Sequence, residues 1–237
     1  MRRARALALC LALGPAPAAA CRLALVLALD VSASVDTREF GQQTEGLSRA
    51  LDAPEVREIL LDPAAPPVAL AVFQWSGAVQ QAQVLGWTLL DSEAAIRRIA
   101  AQRRGNMAGR TAIGAAMTHA ATLLQGAPAC GRATLDISGD GRNNSGIAPN
   151  AAARALPGVT VNGLVIGGAL PLDHSGDIAG GVPLAEYYLR EVIRGPGAFV
   201  ETAADYGDYE RAMRAKLLRE VGHPVVGARR PAPRRTP

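Results

Sequence analysis

Residues 23–34, LALVLALDVSAS, decide the fold of this chain. The first seven, Leu23 to Leu29, are all apolar, and an uninterrupted apolar run of this length predicts a strand that is buried on both faces. Asp30 follows at once, and a carboxylate at the end of a buried strand needs a partner because an unpaired buried charge is costly. The stretch therefore predicts a central strand with a polar site at its carboxyl end.

Apolar runs and helical patterns alternate along the rest of the chain. Further strands are predicted at 68–75, 79–87, 133–138, 159–166 and 198–202, and helices at 36–51, 91–101, 111–124, 148–156, 183–193 and 206–221. The alternating glutamines of 79–87, after a tight turn at Ser76-Gly77, predict an antiparallel edge strand. The alternation predicts an α/β fold: a Rossmann-like three-layer αβα sandwich around a central, mostly parallel six-stranded sheet with one antiparallel edge strand.

The two ends of the chain differ from its body. Residues 1–20 combine three arginines with an apolar stretch and a final Ala-Ala-Ala, which predicts a signal peptide and a periplasmic or secreted protein. The apolar stretch is too short to span a bilayer, so no transmembrane span is predicted. Residues 223–237 are rich in Pro and Arg without a period, which predicts a disordered tail and leaves 21–222 as one domain.

The formal charge of +4 comes from these ends. Without residues 1–20 and the last ten residues, 18 basic residues remain against 21 acidic ones, a charge of about −3. A nucleic-acid-binding domain carries its positive charge on the folded body. We therefore predict that the chain does not bind nucleic acid.

Five oxygen-bearing side chains lie where predicted strands end and a helix begins: Asp30, Ser32, Ser34, Thr111 and Asp140. Because the carboxyl ends of parallel strands share one edge of a sheet, and ligands bind there, these side chains are expected to meet. Two carboxylates and three hydroxyls suit a hard cation such as Mg²⁺ or Mn²⁺. Each residue alone could be a helix cap or a turn residue, but the five together predict a metal site.

The pattern Asp30-x-Ser32-x-Ser34, then Thr111, then Asp140-Gly, resembles the metal-ion-dependent adhesion site (MIDAS) of von Willebrand factor type A domains. The resemblance covers about residues 21–221 and extends to the order of the elements. It is nearest to a bacterial branch of exported A-like domains, through the stretches 71–76, 138–144 and 195–199. The chain departs from the family in two respects, neither of which removes a ligand. The family's fourth strand more often ends in Thr-Asp-Gly where this one has Gly-Asp-Gly, and the loop before Thr111 (103–110) is unusually basic.

The resemblance implies a role for each of the five residues. The hydroxyls of Ser32, Ser34 and Thr111 would bind the ion, and Asp30 and Asp140 would bind it directly or through water. The ion would be Mg²⁺, with Mn²⁺ or Ca²⁺ as alternatives, and an acidic side chain of a protein partner would complete its coordination.

A basic loop before Thr111 holds Arg104 and Arg110. These two arginines would steer an acidic partner, or they are solvated loop residues. The chain is predicted to be a monomeric binding module and not an enzyme. The alternatives are a metal-dependent hydrolase, for which no general base is evident, and a structural accessory protein of an envelope complex.

The cysteines fit the same fold. Cys21 precedes Asp30 by nine positions and Cys130 precedes Asp140 by ten. If the first and fourth strands are neighbours, as the A-domain sheet implies, both cysteines lie side by side at the amino edge, and export favours a disulfide between them. The alternative is a lipoprotein signal, Ala-Ala-Ala-Cys21, with a lipid on Cys21. Asp136 lies inside a strand, where we predict a structural role.

Overall fold

The computed structural model describes residues 20–101, 105, 107–167 and 183–222. The predicted signal peptide (1–20, apart from its last residue), Arg104 and the predicted tail (223–237) lie outside these residues. They therefore stay predictions.

Strands and helices alternate along the described residues. The strands are β1 (Leu23–Asp30), β2 (Val68–Ser76), β3 (Gln80–Leu90), β4 (Ala133–Gly139), β5 (Thr160–Ile166) and β6 (Val200–Ala203). The α-helices are α1 (Thr37–Asp52), α2 (Pro54–Leu60), α3 (Glu93–Arg97), α4 (Ile113–Gln125), α5 (Pro149–Ala152), α6 (Leu184–Tyr187) and α7 (Tyr209–Val221). The described residues also contain short 3-10 turns (Arg98–Ala101, Ala153–Ala155 and Tyr206–Asp208) and one π-helical segment (Tyr188–Val192).

The six strands form one sheet in the order β3-β2-β1-β4-β5-β6. All neighbouring strands are parallel except β2 and β3, which are antiparallel. This arrangement confirms the predicted sheet, with its one antiparallel strand at the edge. β1 lies between β2 and β4, so Asp30 and the residues after β4 reach the same carboxyl edge.

Side chains of β1 supply both cores of the sandwich. Its leucines, from Leu23 to Leu29, pack on one face of the sheet with residues of α1, α2, α3 and α7. Val26 and Ala28 point to the other face and pack with residues of α4 and with Tyr188. Every residue of β1 is buried, as expected for a strand covered by helices on both faces. The three-layer architecture is therefore confirmed.

The helices differ from the predicted ones at several places. Those predicted at 91–101 and 148–156 are short α-helices, each followed by a 3-10 turn. The sequence pattern did not predict α2, which starts with Pro54 at its first position, because seven residues are too few to show a helical period. The helix predicted at 183–193 is one α-helical turn followed by the π-helical segment. There the ring of Tyr188 lies over β5, where a Cβ added to Gly163 would come within 2.7 Å of it.

The amino edge of the sheet is closed covalently. Cys21 and Cys130 form a disulfide, with their Cα atoms 4.5 Å apart. The two residues also pair as a parallel bridge, and Gly131 donates its N–H to the carbonyl of Cys21 at 2.9 Å. The bridge therefore continues the pairing of β1 with β4 beyond their first residues.

Candidate metal centre

The loop that follows β1 turns its polar side chains toward the loop that follows β4. Ser32 donates its N–H to Asp30 Oδ1 at 2.8 Å, and Ala33 donates its N–H to the carbonyl of Gly109 at 2.9 Å. The first bond folds the chain back on its own carboxylate. The second holds this turn against the segment that leads to Thr111.

Hydroxyls and carboxylates meet at this edge. Ser34 Oγ donates to Asp140 Oδ1 at 2.8 Å and lies 3.1 Å from Ser32 Oγ. Ser32, Ser34, Thr111 and Asp140 line one cleft of about 170 Å³. Asp30 is fully buried beneath it, so the structure brings all five predicted residues to one place.

Asp30 carries an unsatisfied oxygen. Its Oδ1 accepts the Ser32 N–H, but its Oδ2 has no hydrogen-bond partner among the described residues. Burial raises the pKa of the Asp30 carboxyl well above its usual range, and the negative charge of Asp140 raises it further. Two carboxylates at the base of a hydroxyl-lined cleft are costly without a counter-charge, and a divalent cation is the counter-charge that this donor set fits.

No group of three His, Cys, Asp or Glu side chains in the described part of the chain is arranged to hold a metal ion. A cation here would therefore depend on the serine and threonine hydroxyls together with two carboxylates. Such an all-oxygen set favours a hard ion over zinc, which prefers nitrogen and sulfur ligands.

Tyr206 is a residue of this site that the sequence analysis missed. It lies in the 3-10 turn before α7, is 5% exposed, and donates its hydroxyl to Asp140 Oδ2 at 3.3 Å. Burial, followed by the charge of Asp140, raises the pKa of Tyr206 well above its usual range. The tyrosine therefore stays protonated and holds one oxygen of the Asp140 carboxylate while Ser34 holds the other. No sequence motif marks a single tyrosine near the start of a helix as a site residue, so the sequence could not predict it.

Gly139 explains why the chain departs from the Thr-Asp-Gly pattern of the family it resembles. A Cβ at this position would lie 2.8 Å from the hydroxyl of Tyr188 and 3.0 Å from Asp30 Oδ2. The Tyr188 hydroxyl is buried and has no hydrogen-bond partner among the described residues. A tyrosine from the π-helical segment thus fills the space that a larger residue at 139 would need.

This packing predicts a coupling between two substitutions. Gly139→Ala is expected to lower the free energy of unfolding by about 1–3 kcal/mol, because the new methyl group overpacks against the Tyr188 hydroxyl. In a Tyr188→Phe background the same substitution should cost measurably less, since the hydroxyl is gone. Urea unfolding of the four proteins in EDTA measures both costs. Equal costs in the two backgrounds would refute this account of Gly139.

Basic side chains line the mouth of the cleft. Arg110 is exposed, and Arg142 lines the cleft beside it. The carbonyl of Arg110 accepts the N–H of Gly77 at 2.6 Å, which ties this loop to the β2–β3 turn. Arg142 was not singled out from the sequence, where it is one of several arginines after β4. The second predicted steering residue, Arg104, lies outside the described residues.

Solved structures similar to this chain share its fold. The structure of proximal thread matrix protein 1 from the mussel byssus with a zinc-occupied MIDAS motif is 15% identical, has a TM-score of 0.59, and is covered over 48% of its length by 86% of this chain. An aerotolerance-related membrane protein from Bacteroides fragilis is 20% identical with a TM-score of 0.55, and 83% of this chain covers 99% of it.

The pilus adhesin SpaC from Lactobacillus rhamnosus GG is 12% identical with a TM-score of 0.61, and 85% of this chain covers 30% of it. The chain thus spans about half of the mussel protein and less than a third of the adhesin. A von Willebrand factor type A protein from Catenulispora acidiphila also matches, with a TM-score of 0.55.

These matches, together with the sheet order, show that the chain has the von Willebrand factor type A fold. No curated protein matches the sequence significantly. The family model described as "Protein of unknown function (DUF1194)" matches residues 20–225, and the chain belongs to this family.

Proposed function

We propose that this protein is an exported binding module that holds Mg²⁺ at Asp30, Ser32, Ser34, Thr111 and Asp140 and binds a protein partner through that ion. The observation that carries the proposal is the pair of buried carboxylates at a cleft lined by three hydroxyls: Asp140 lines the cleft, and Asp30, with its unpartnered oxygen, lies beneath it. When bound, the ion supplies a Lewis-acidic centre that accepts one more oxygen ligand.

The cleft supports binding rather than hydrolysis. Asp140 is its only carboxylate among the described lining residues, which include no histidine. Asp140 already accepts hydrogen bonds from Ser34 and Tyr206, and it would be used as a ligand. A hydrolase would need a further base to activate water, and the cleft offers none among these residues.

The partner is proposed to present an acidic side chain. Arg110 and Arg142 beside the cleft would attract a carboxylate and raise the rate of encounter. One structure with this fold is described as having a zinc-occupied MIDAS motif and another as a pilus adhesin. Both descriptions are consistent with metal-dependent binding by this chain.

The rest of the proposal concerns the setting of the module. We propose that residues 21–222 act as one monomeric domain in the periplasm or outside the cell, after removal of 1–20. No helix among the described residues is long and apolar enough to cross a membrane. Lipid anchoring would need a free Cys21, and in the structure Cys21 is bonded to Cys130.

Calorimetry tests the metal claim. We expect the protein to bind Mg²⁺ with measurable heat and Asp140→Asn to weaken binding by more than the roughly 10- to 100-fold that loss of an outer-shell group costs. Asp62→Asn, at an exposed position of the amino edge, is the matched control and should bind like the wild type. Titrations with Mn²⁺, Ca²⁺ and Zn²⁺ rank the ions. Absence of binding by the wild type for all four ions would refute the proposal.

A further inference from the structure

A second group of buried charges lies away from the cleft, between α7 and the sheet. Lys216, the only lysine of the chain, has a fully buried side chain. Its Nζ lies 3.0 Å from Asp136 Oδ2 on β4 and 2.6 Å from Glu220 Oε1, one turn further along α7. All three side chains are at most 1% exposed, so the amine and both carboxyls are shielded from water.

The surroundings of this triad hold its members in place. Asn162 donates its side-chain N–H to Glu220 Oε1 at 2.7 Å, and its own Oδ1 accepts the N–H of Phe199 at 3.1 Å. The ring of Phe199 covers the amine, with its centroid 5.0 Å from Lys216 Nζ. The amine is therefore fixed beside Asp136 in a pocket that is closed to solvent.

The charges of the triad do not balance. Within the triad two carboxyls share one ammonium, although the guanidinium of Arg132 also attracts Glu220 from outside it. A buried ion pair gains little over neutral groups of the same shape. Burial raises the pKa of Asp136 to about 7, although Lys216 lowers it and Glu220 raises it again. Near neutral pH part of the Asp136 carboxyl is therefore protonated. In this form its hydroxyl can leave as water.

We propose that Lys216 and Asp136 join in an intramolecular amide bond, with Glu220 as the group that moves the proton. The structure places the amine one hydrogen-bond length from the carboxyl that it would attack. Glu220 Oε1 lies closer still to the amine, in position to accept its proton.

The reaction balances without any further reagent. Glu220 takes a proton from the Lys216 ammonium, and the amine lone pair forms a bond to Asp136 Cγ. Glu220 gives this proton to the Asp136 hydroxyl that leaves, the C–O bond breaks, and one water is released. Glu220 then takes the second proton from the nitrogen, which leaves a neutral amide. The Lys216 ammonium, the Asp136 carboxylic acid and the Glu220 carboxylate thus become a neutral amide, water and a neutral Glu220, which removes the buried charges of Lys216 and Glu220.

The carboxyl needs no activating reagent in this reaction, because the fold already holds it against the amine. Groups held in reactive contact reach effective concentrations of about 10⁵–10⁸ M, and the dry pocket disfavours the return of water that hydrolysis would need. The bond would tie α7 to β4, whose next loop carries Asp140. The further inference does not depend on metal binding, because none of the triad residues lines the cleft.

Mass spectrometry of the full chain, reduced and denatured, tests the proposal directly. The wild type is expected to be lighter than its sequence by one water, and trypsin should release residues 133–142 joined to residues 215–219. Because Lys216 is the only lysine, reductive methylation of the denatured protein should then label the amino terminus alone.

The variants assign the roles. Lys216→Arg keeps the charge but should abolish both the water loss and the linked peptide. Glu220→Gln keeps the contact with Asn162 and should lower the linked fraction at least about tenfold. Circular dichroism shows whether each variant folds.

Three results for the wild type would overturn the proposal, whatever the variants do. The first is a methylated Lys216 with no linked peptide. The second is a bond between 215–219 and 220–229, which would be a Lys216–Glu220 lactam. The third is a water loss confined to the linear peptide 133–142, as dehydration at Asp140-Gly141 would give.

Discussion

Asp30→Asn is expected to stabilise the metal-free protein while it abolishes binding of Mg²⁺. Asp30 is fully buried, and one of its oxygens has no hydrogen-bond partner among the described residues. Asparagine keeps the shape and the oxygen that accepts the Ser32 N–H, but it removes a negative charge beside Asp140. The amide nitrogen that replaces Oδ2 is as unpartnered as the oxygen was, so the gain comes from removing the buried charge, and the metal-free variant should gain stability on the order of 1–3 kcal/mol.

The effect should reverse when Mg²⁺ is present. A ligand that binds only the folded state stabilises it by mass action, by about 2.7 kcal/mol at a concentration one hundred times its dissociation constant. The wild type should gain this amount and Asp30→Asn should gain none. A residue that costs stability in the empty protein and is needed for binding is typical of functional sites.

Urea unfolding in EDTA and in excess Mg²⁺ measures both halves of this prediction. Asp62→Asn is the control, since it removes a carboxylate from an exposed position at the opposite edge of the sheet. If Asp30→Asn were less stable than the wild type in EDTA, the Asp30 carboxylate would not destabilise the metal-free protein. If it were still stabilised by Mg²⁺, Asp30 would not be needed for the site.

The sequence predicted those parts of the site that follow from strand ends. Asp30, Ser32 and Ser34 are contiguous with a buried strand, and a parallel sheet then brings Asp140 to the same edge. Tyr206 and Tyr188 could not be predicted in this way. Their positions depend on how α7 and the π-helical segment pack on the sheet. The residues next to a tyrosine in the sequence do not show which part of the fold its ring will contact.

The same limit applied to Lys216. The pattern of 206–221 predicted an amphipathic helix, but periodicity alone assigns a lysine to the polar side of such a helix. Only the packing of α7 shows that Lys216 lies on the buried side with Asp136 and Glu220. The sequence suggested a structural role for Asp136, inside β4, but it could not show which side chains Asp136 contacts.

Loss of the disulfide is expected to cause a large fall in stability. Cys21 and Cys130 are separated by 109 positions, and closing a loop of about 100 residues lowers the entropy of the unfolded chain by an amount worth about 4.7 kcal/mol in the chain-entropy model. The Cys21→Ala/Cys130→Ala double variant should lose about 3–5 kcal/mol in the free energy of unfolding.

The proposed metal site should tolerate the same change. Asp30 ends β1 nine positions after Cys21, roughly 30 Å away at the rise of a strand. Between them β1 pairs with β4 from Ala24 to Leu29, so the carboxyl edge keeps its register without the covalent bond. The double variant should therefore bind Mg²⁺ within about threefold of the wild type wherever it is folded, since distant sites contribute independently.

Urea unfolding of the oxidised wild type, the reduced wild type and the double variant separates the covalent effect from that of the side chains. The reduced wild type keeps both cysteine side chains but not the bond between them. If it loses as much stability as the double variant does, the loss is due to the missing disulfide bond. A loss below about 1 kcal/mol, outside the usual range for a native disulfide, would mean that the unfolded chain is not constrained there. Weaker Mg²⁺ binding by the folded double variant would instead show that strand pairing alone does not hold Asp30 and Asp140 in register.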